Sequence, residues 1–288
     1  MCSTKSEQTA RPTTRRIRHC IKQHRRPSMH SHWTKGGHET LLVMLHGFMS
    51  DSRTYTEAVR RLQGQTDILR VDLPGHGADR SDRVETWSFD WIADQLHEVI
   101  SHAGYQRVML YGYSMGGRIA LYYALKYPVQ GLILESASPG LQNAADRAER
   151  RRLDQTRGER LTEDYEQFVQ YWERLPLFKT AAPLNEDSRR KLSAIRRSQM
   201  PAALQKALTD YGTGSQPDLW PALSRLNGPV LLLTGTLDDK FRTINKEMTQ
   251  RIKDSRHIEV TAGHSIHVEH PEIFDTIVLE FMKEAYHV

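Results

Sequence analysis

The sequence is poor in cysteine and lacks long apolar runs. Its 288 residues include two cysteines, Cys2 and Cys20, both close to the N-terminus. They give no basis for a disulfide framework, and without a recognisable signal peptide we expect a cytoplasmic protein. The longest apolar stretches, such as 41–45 and 230–233, are far too short to span a bilayer. We therefore expect no membrane insertion.

Positive charge is concentrated at one end of the chain. The net charge is +5, but residues 1–28 hold eight Lys or Arg and one Glu, which leaves −2 for the remainder. This segment is rich in Ser, Thr and Arg and has no apolar periodicity, so we predict a disordered basic N-terminal extension over 1–28. It is an upstream extension before a start at Met29, a targeting segment, or an arm for nucleic acid or a membrane surface. We favour the first interpretation and expect no nucleic-acid partner.

Short apolar runs alternate with helical patterns from about residue 40 onward. The spacing predicts strands over 41–45, 67–73, 107–111, 131–135, 229–234 and 257–260. It predicts helices over 87–103, 115–127, 245–253 and 271–285. This alternation is typical of an α/β fold in which a mostly parallel sheet carries helices on both faces.

The alternation is interrupted between residues 141 and 223. Four charged helical segments replace the strands there, over 144–153, 162–174, 186–198 and 202–209. Ligands bind at the carboxyl ends of the strands in open α/β sheets. We therefore predict a helical cap insertion, 141–223, above a core formed by 29–140 and 224–288.

One serine lies in a motif that exposes its hydroxyl. Gly112-Tyr-Ser-Met-Gly116 matches G-x-S-x-G and stands directly between a predicted strand and a predicted helix. In that setting the glycines allow a sharp turn with the serine at its tip, which favours a nucleophile elbow at Ser114. The alternative is a serine in an ordinary strand-to-helix turn.

A serine becomes reactive when a histidine takes its proton and a carboxylate orients the histidine. Asp238 follows the strand 229–234, and His264 follows the strand 257–260. The chain order Ser, Asp, His is the one expected after a nucleophile elbow, so we predict a Ser114, Asp238, His264 triad. Asp239 is the rival carboxylate, and we expect it to face solvent or cap the following helix.

The turn after the first core strand is a candidate oxyanion hole. His46-Gly47-Phe48 follows that strand, and the backbone N–H groups of Phe48 and Met115 would bind a developing oxyanion. The alternative is a strand-end turn without a role in catalysis.

The histidines near the C-terminus are spaced H-x-x-H-x-x-H. His264 follows a glycine turn, and Pro271 favours a helix that starts just after His270. A metal site needs its ligands on one face, so we expect no metal here and regard His267 and His270 as polar loop residues.

Arginines in and near the cap offer sites for anions. Arg118 follows Ser114 by four residues in the predicted elbow helix, where a surface salt bridge is the alternative. The cap itself carries Arg147, Arg150, Arg151, Arg152, Arg189, Arg190, Arg196 and Arg197. Most of these face solvent in our interpretation, but a few directed into the cleft would bind carboxylates in bidentate fashion.

Several segments together resemble one known family. They are His46-Gly-Phe, Val71-Asp-Leu-Pro-Gly-His-Gly77, Gly112-Tyr-Ser-Met-Gly-Gly-Arg118, Ser138-Pro-Gly-Leu-Gln-Asn143 with Arg147-Ala-Glu-Arg150, and Asp238-Asp-Lys-Phe241. From about residue 41 to the C-terminus, the chain resembles the MenH family, the 2-succinyl-6-hydroxy-2,4-cyclohexadiene-1-carboxylate synthases of menaquinone (vitamin K2) biosynthesis.

The resemblance implies an α/β-hydrolase fold and a carbon–oxygen lyase without a cofactor. The substrate would be a small polyanionic carboxylate, 2-succinyl-5-enolpyruvyl-6-hydroxy-3-cyclohexene-1-carboxylate, from which pyruvate is eliminated. Ser114, activated by His264, would remove the ring proton.

The resemblance also implies a set of substrate-binding residues. Arg118, Arg150 and Arg196 would bind carboxylates, and Tyr113 and Trp172 would line the cleft. A solvated helix face is the alternative for Arg196, and a cap-core aromatic is the alternative for Trp172. Rival functions are a carboxylesterase or C–C bond hydrolase of the same fold, and a ligand receptor without catalysis.

Overall fold

The computed structural model describes residues 29–81, 84–180 and 182–286. The predicted extension over 1–28 lies outside these residues. Seven strands form one sheet in the order β1-β3-β2-β4-β5-β6-β7. They are β1 Ser31–Thr34, β2 Thr40–Leu45, β3 Asp67–Val71, β4 Arg107–Tyr113, β5 Gly131–Glu135, β6 Val230–Gly235 and β7 Ser255–Val260.

The sheet is parallel except at one edge, as the alternating sequence pattern predicts. β1 pairs with β3 in antiparallel fashion, and every other neighbouring pair is parallel. Strands β5 and β6 are buried along their whole length, because helices cover both faces of the sheet.

Ten α-helices accompany the sheet in the part of the chain that the structure describes. They are α1 Thr56–Leu62, α2 Phe89–His102, α3 Met115–Lys126, α4 Ala144–Glu163, α5 Tyr165–Glu173, α6 Glu186–Arg197, α7 Pro201–Tyr211, α8 Asp239–Thr249, α9 Ile266–Glu269 and α10 Pro271–Tyr286. Alternate residues of β2 enter two different apolar clusters. One cluster includes α2, α3 and α8, and the other includes α1 and α10, so the sheet has a core on each face.

Helices α4 to α7 lie within the predicted cap segment. A small apolar cluster joins Leu161, Phe168, Trp172 and Leu204 of these helices to Met49, which follows β2. The cap therefore packs directly on the loop that the sequence predicts to carry an oxyanion-binding N–H. No helix among residues 29–81, 84–180 and 182–286 is long and apolar enough to cross a membrane.

Three element predictions are wrong in their bounds. The helix predicted over 245–253 is α8, which begins at Asp239 immediately after Asp238. The helix predicted over 144–153 continues to Glu163, because nothing stops it before Asp164. The Asp164 side chain accepts the N–H of Gln167 and so caps α5, which begins three residues later than predicted.

Neither β1 nor α1 is predicted from the sequence. β1 has four half-buried residues at a sheet edge, so it lacks the apolar run that marks the central strands. α1 has seven residues, which is too short for a clear helical period.

Candidate active site

Ser114 lies at the tip of a strained turn between β4 and α3. Its backbone has φ 51° and ψ −107°, a conformation that non-glycine residues rarely adopt. The start of α3 lies very close to the end of β2. Only a glycine fits at position 116, because a Cβ there would collide with the carbonyl of Leu45. The N–H of Ser114 donates to the carbonyl of Glu135 at 2.8 Å, which ties the turn to β5.

Three predicted side chains form one hydrogen-bonded chain. Ser114 Oγ lies 3.0 Å from His264 Nε2, and His264 Nδ1 lies 2.7 Å from Asp238 Oδ2. His264 and Asp238 are both buried. The rival Asp239 has a side chain that is 87% exposed and pairs with Arg242. The geometry thus brings Asp238, and not Asp239, to the histidine.

The loop after β2 approaches the serine from the other side. Phe48 and Met115 line the same cavity as Ser114, and Met115 is the first residue of α3. The first N–H groups of a helix have no partner within the helix, which leaves the Met115 N–H available to a ligand. His46 supports the loop, because its Nε2 accepts the N–H of Leu73 at 3.0 Å. Burial lowers the pKa of His46, which favours the neutral imidazole that this contact needs.

The cavity above Ser114 has a volume of about 310 Å³ and contains four basic side chains. These are Arg118, Arg150, Arg157 and Lys240. Tyr113 and Trp172 also line it, and the hydroxyl of Tyr113 lies 2.5 Å from Ser265 Oγ. Trp172 also belongs to the apolar cluster of the cap. It therefore lines the cleft and is a cap-core aromatic at the same time.

Arg118 and Arg150 are held differently within this cavity. Arg118 is buried, and its Nη1 donates to the carbonyl of Tyr211 at 3.0 Å. Burial, and then the neighbouring Arg150, lower the pKa of Arg118 to about 10. Arg150 donates from Nε to Asp154 Oδ1 at 2.8 Å. Arg118 thus has a carbonyl as its partner, whereas Arg150 is matched by a carboxylate.

Arg196 does not line the cavity of Ser114. It lines a neighbouring cavity of about 710 Å³ that shares Phe178 and His264 with the first. Its Nη1 lies 3.3 Å from Glu173 Oε1, and its guanidinium carbon lies 5.3 Å from the centre of the Phe178 ring. The structure therefore places Arg196 beside Phe178 instead of with the other predicted arginines.

Most of the chain resembles known proteins in sequence and in structure. The sequence model of the alpha/beta hydrolase family matches residues 42–275. A protein of Bacillus subtilis strain 168, named putative 2-succinyl-6-hydroxy-2,4-cyclohexadiene-1-carboxylate synthase, is 38% identical over 84% of this chain and 89% of its own. The synthase of that name from Escherichia coli strain K12 is 36% identical over 80% of this chain and 88% of its own.

A solved structure of MenH from S. aureus superposes on this chain with a TM-score of 0.87. It is 41% identical, and the match covers 89% of this chain and 99% of that one. The chain belongs to the 2-succinyl-6-hydroxy-2,4-cyclohexadiene-1-carboxylate synthase (MenH) family of α/β hydrolases. An esterase from Exiguobacterium antarcticum superposes with a TM-score of 0.76 at 20% identity, a likeness that shows the fold alone.

Two basic side chains that line the cavity of this MenH-family chain are absent from the predicted site. Arg157 follows Arg150 by seven residues in α4, and Lys240 follows Asp238 by two. Residues seven apart share one face of a helix, so the placement of Arg150 in the cleft already indicates Arg157. The signal for Lys240 is its place in the first turn of α8, next to the triad carboxylate.

The prediction that His267 is a polar loop residue is wrong. His267 is buried in α9, and its Nδ1 donates to Glu135 Oε1 at 2.9 Å. Tyr111 Oη donates to the other oxygen of the same carboxylate at 2.7 Å. The histidine spacing gives no sign of this contact, because Glu135 lies 132 residues earlier in the chain.

A group of potential metal ligands lies elsewhere in the fold. The ligand atoms of His30, His32 and Asp72 lie within 4.8 Å of one another near the β1 edge. Asp72, however, already accepts the N–H of Ser52 at 2.8 Å and that of Ala78 at 2.9 Å. These contacts give Asp72 a role in holding the loop after β3.

Proposed function

We propose that this chain is a carbon–oxygen lyase that eliminates pyruvate from 2-succinyl-5-enolpyruvyl-6-hydroxy-3-cyclohexene-1-carboxylate. The product is 2-succinyl-6-hydroxy-2,4-cyclohexadiene-1-carboxylate, an intermediate of menaquinone biosynthesis. The observation that carries this proposal is a Ser114–His264–Asp238 hydrogen-bond chain at the floor of a cavity with four basic side chains. Family membership, at 38% identity to the Bacillus subtilis relative, supports the same reaction.

The charge of the cavity favours this substrate over a neutral ester. Four cations line the cavity, and Asp154 balances one of them through Arg150. A substrate with three carboxylates would match the remaining positive charge. A neutral ester would leave those cations desolvated and unpaired, which is costly in a protein interior.

The mechanism follows from the hydrogen-bond chain. His264 Nε2 takes the proton of Ser114 Oγ, while Asp238 holds the Nδ1–H tautomer and stabilises the imidazolium. The freed serine oxygen removes the proton of ring carbon 2, and its electron pair forms a double bond between carbons 2 and 3. The existing double bond shifts to carbons 4 and 5, and the bond from carbon 5 to the enolpyruvyl oxygen breaks. His264 returns its proton to the leaving group, which becomes pyruvate, and Ser114 keeps the ring proton. The serine and histidine thus finish in their starting states.

The remaining residues position the substrate in this proposal. The backbone N–H groups of Phe48 and Met115 stabilise negative charge that develops during proton removal. Arg118 and Arg150 bind carboxylates, and Tyr113 and Trp172 confine the ring. The role of Arg196 in binding stays a prediction, as do a cytoplasmic location and a reaction without a cofactor.

A coupled assay of pyruvate release tests the reaction. We expect the purified protein to release pyruvate from the enolpyruvyl substrate, and Ser114→Ala to reduce kcat by at least about 10³-fold while it still binds substrate. Ser138→Ala is the control, because Ser138 lines the same cavity but its Oγ accepts the N–H of Gly140. Rapid turnover of p-nitrophenyl acetate without pyruvate release would establish a carboxylesterase instead.

A further inference from the structure

We propose that Arg157, Lys240 and the indole N–H of Trp172 form a subsite for one carboxylate of the substrate. The family resemblance implies a cationic contact from Arg196, and the group proposed here lines the cavity of Ser114 itself. The inference rests on the proposed function, because it concerns how a substrate with three carboxylates is held. We name the group the Arg157 subsite.

Arg157 is a cation at the cavity whose own protein partner is weak. It extends from the face of α4 that also carries Arg150, and its side chain is 19% exposed. Its Nη1 lies 3.9 Å from Asp154 Oδ1, whereas Arg150 Nε lies 2.8 Å from the same oxygen. Asp154 is therefore engaged mainly by Arg150, and Arg157 is available for another anion.

Two buried N–H groups of the Arg157 subsite have no acceptor among the described residues. They are Arg157 Nε and Trp172 Nε1. The guanidinium carbon lies 5.9 Å from the centre of the indole ring, so both donors belong to one corner of the cavity. Buried donors are almost always hydrogen-bonded in proteins, and a carboxylate supplies two acceptor oxygens. A bound carboxylate would supply acceptors for both donors at once.

Lys240 adds a second cation to this corner. No ion pair joins it to any residue in the described parts of the chain, and it lines the same cavity. Burial, followed by repulsion from Arg150, lowers the pKa of Lys240; Asp238 opposes this shift, and Arg157 adds to it. A bound carboxylate would relieve the repulsion among these three cations, which favours an anion over a neutral group.

Arg196 is less well placed for the same role. It is paired with Glu173, rests over Phe178 and lines the neighbouring cavity. To reach a ligand at Ser114 it would have to exchange an existing carboxylate for the substrate. Arg157 is 3.9 Å from Asp154, which Arg150 already engages, and no ion pair holds Lys240 among the described residues.

The test compares anion binding in matched arginine and lysine variants of the full-length chain. Isothermal titration with propane-1,2,3-tricarboxylate probes binding without any reaction, and the pyruvate assay gives KM. Arg157→Ala is matched with Arg160→Ala, an exposed arginine of the same helix. Lys240→Met is matched with Lys246→Met, an exposed lysine of α8 that pairs with Glu259. Arg196→Ala is compared with both.

We expect Arg157→Ala and Lys240→Met each to weaken tricarboxylate binding and raise KM by about tenfold or more, since each removes a charged hydrogen bond. The Arg160 and Lys246 variants should stay near wild type, and Arg196→Ala should lose less than Arg157→Ala. Melting temperatures above the assay temperature exclude unfolding as the cause.

Three results would overturn the Arg157 subsite. The first is that Arg157→Ala and Lys240→Met both keep the wild-type KM and tricarboxylate affinity. The second is that the matched controls lose as much affinity as these variants do. The third is that the wild-type protein does not bind the tricarboxylate. The two proposals can fail separately. If no pyruvate is released but the variants lose the tricarboxylate, the reaction is wrong and the subsite stands. If pyruvate is released with unchanged KM, the reaction stands and the subsite is rejected.

Discussion

Arg118 illustrates how a single residue keeps its charge where burial opposes it. With a pKa lowered to about 10 it remains protonated at neutral pH, and a backbone carbonyl is its hydrogen-bond acceptor. We expect Arg118→Ala to raise KM by about tenfold or more, because a charged hydrogen bond to a carboxylate is lost. Stability should change little, since the variant also removes a costly buried charge. Steady-state kinetics and thermal melts check both, and an unchanged KM would place Arg118 outside the binding site.

Lys240 should make substrate binding sensitive to alkaline pH. Its pKa is lowered by burial and by Arg150, so it loses its proton at a lower pH than an exposed lysine does. Because only the protonated form attracts a carboxylate, we expect KM to rise as pH increases through the lowered pKa. In Lys240→Arg the charge persists and the rise should move to higher pH. A pH series of KM that is identical in both proteins would contradict this role.

Site residues that lie within sequence motifs are easier to predict than site residues whose position depends on long-range packing. Ser114, Asp238 and His264 follow strands, and strand ends of a parallel sheet meet at one edge. Arg157 lies outside the matching segments and Lys240 lies within one of them, but neither position in the sequence shows that the side chain faces the cavity. The contact of Arg196 with Phe178 depends on how α6 packs, which no local spacing encodes.

At the scale of elements, the buried Glu135–His267 pair connects the turn that carries the catalytic serine to the loop that carries the catalytic histidine. Glu135 ends β5, where its carbonyl holds the N–H of Ser114 and its carboxylate holds His267 in α9. His267 follows His264 by three residues, and its ring packs edge-on to Tyr113 with the centres 4.6 Å apart. The pair therefore sets the spacing between the serine turn and the histidine loop.

We expect His267→Ala to lower kcat by about tenfold or more with little change in KM, because displacement of a catalytic group by a fraction of an ångström slows reaction. His267→Asn should recover much of the loss, since its amide N–H replaces the Nδ1 donor to Glu135. Labelling of Ser114 by a fluorophosphonate reports the same spacing without substrate. We expect it to slow in the alanine variant.

His257→Ala is the matched control for that comparison. His257 bonds Thr234 across β6 and β7 at 2.6 Å, so this variant also removes a histidine contact within the sheet. Its kcat should remain near wild type at temperatures below its melting point. Equal loss of kcat in the two alanine variants would show that His267 contributes general stability and not positioning.

At the scale of the whole molecule, the sheet is easier to predict than the cap. Central strands such as β6 are fully buried, so their apolar runs mark them in the sequence. The cap helices α4 and α6 have mostly exposed residues, and α4 buries three of its twenty. The sequence pattern predicts that charged helices are present but does not predict their orientation, because few apolar residues determine how they pack. For that reason, only the structure shows which cap arginines face the cavity.

The N-terminal boundary of the folded domain can be tested by truncation. Met29 is buried in the core, and β1 pairs with β3 through four residue pairs. We expect a chain that starts at Met29 to keep wild-type kcat, KM and melting temperature, although it lacks the strongly basic residues 1–28.

A chain that starts at residue 35 is the informative contrast. It loses β1 and the buried Met29, and a buried apolar side chain of that size contributes about 1.5–3 kcal/mol. For a domain of this size that corresponds to a melting temperature lower by about 3–12 °C. Differential scanning calorimetry of both truncations decides the matter. A loss of activity in the chain that starts at Met29 would show that the basic segment contributes to the working enzyme.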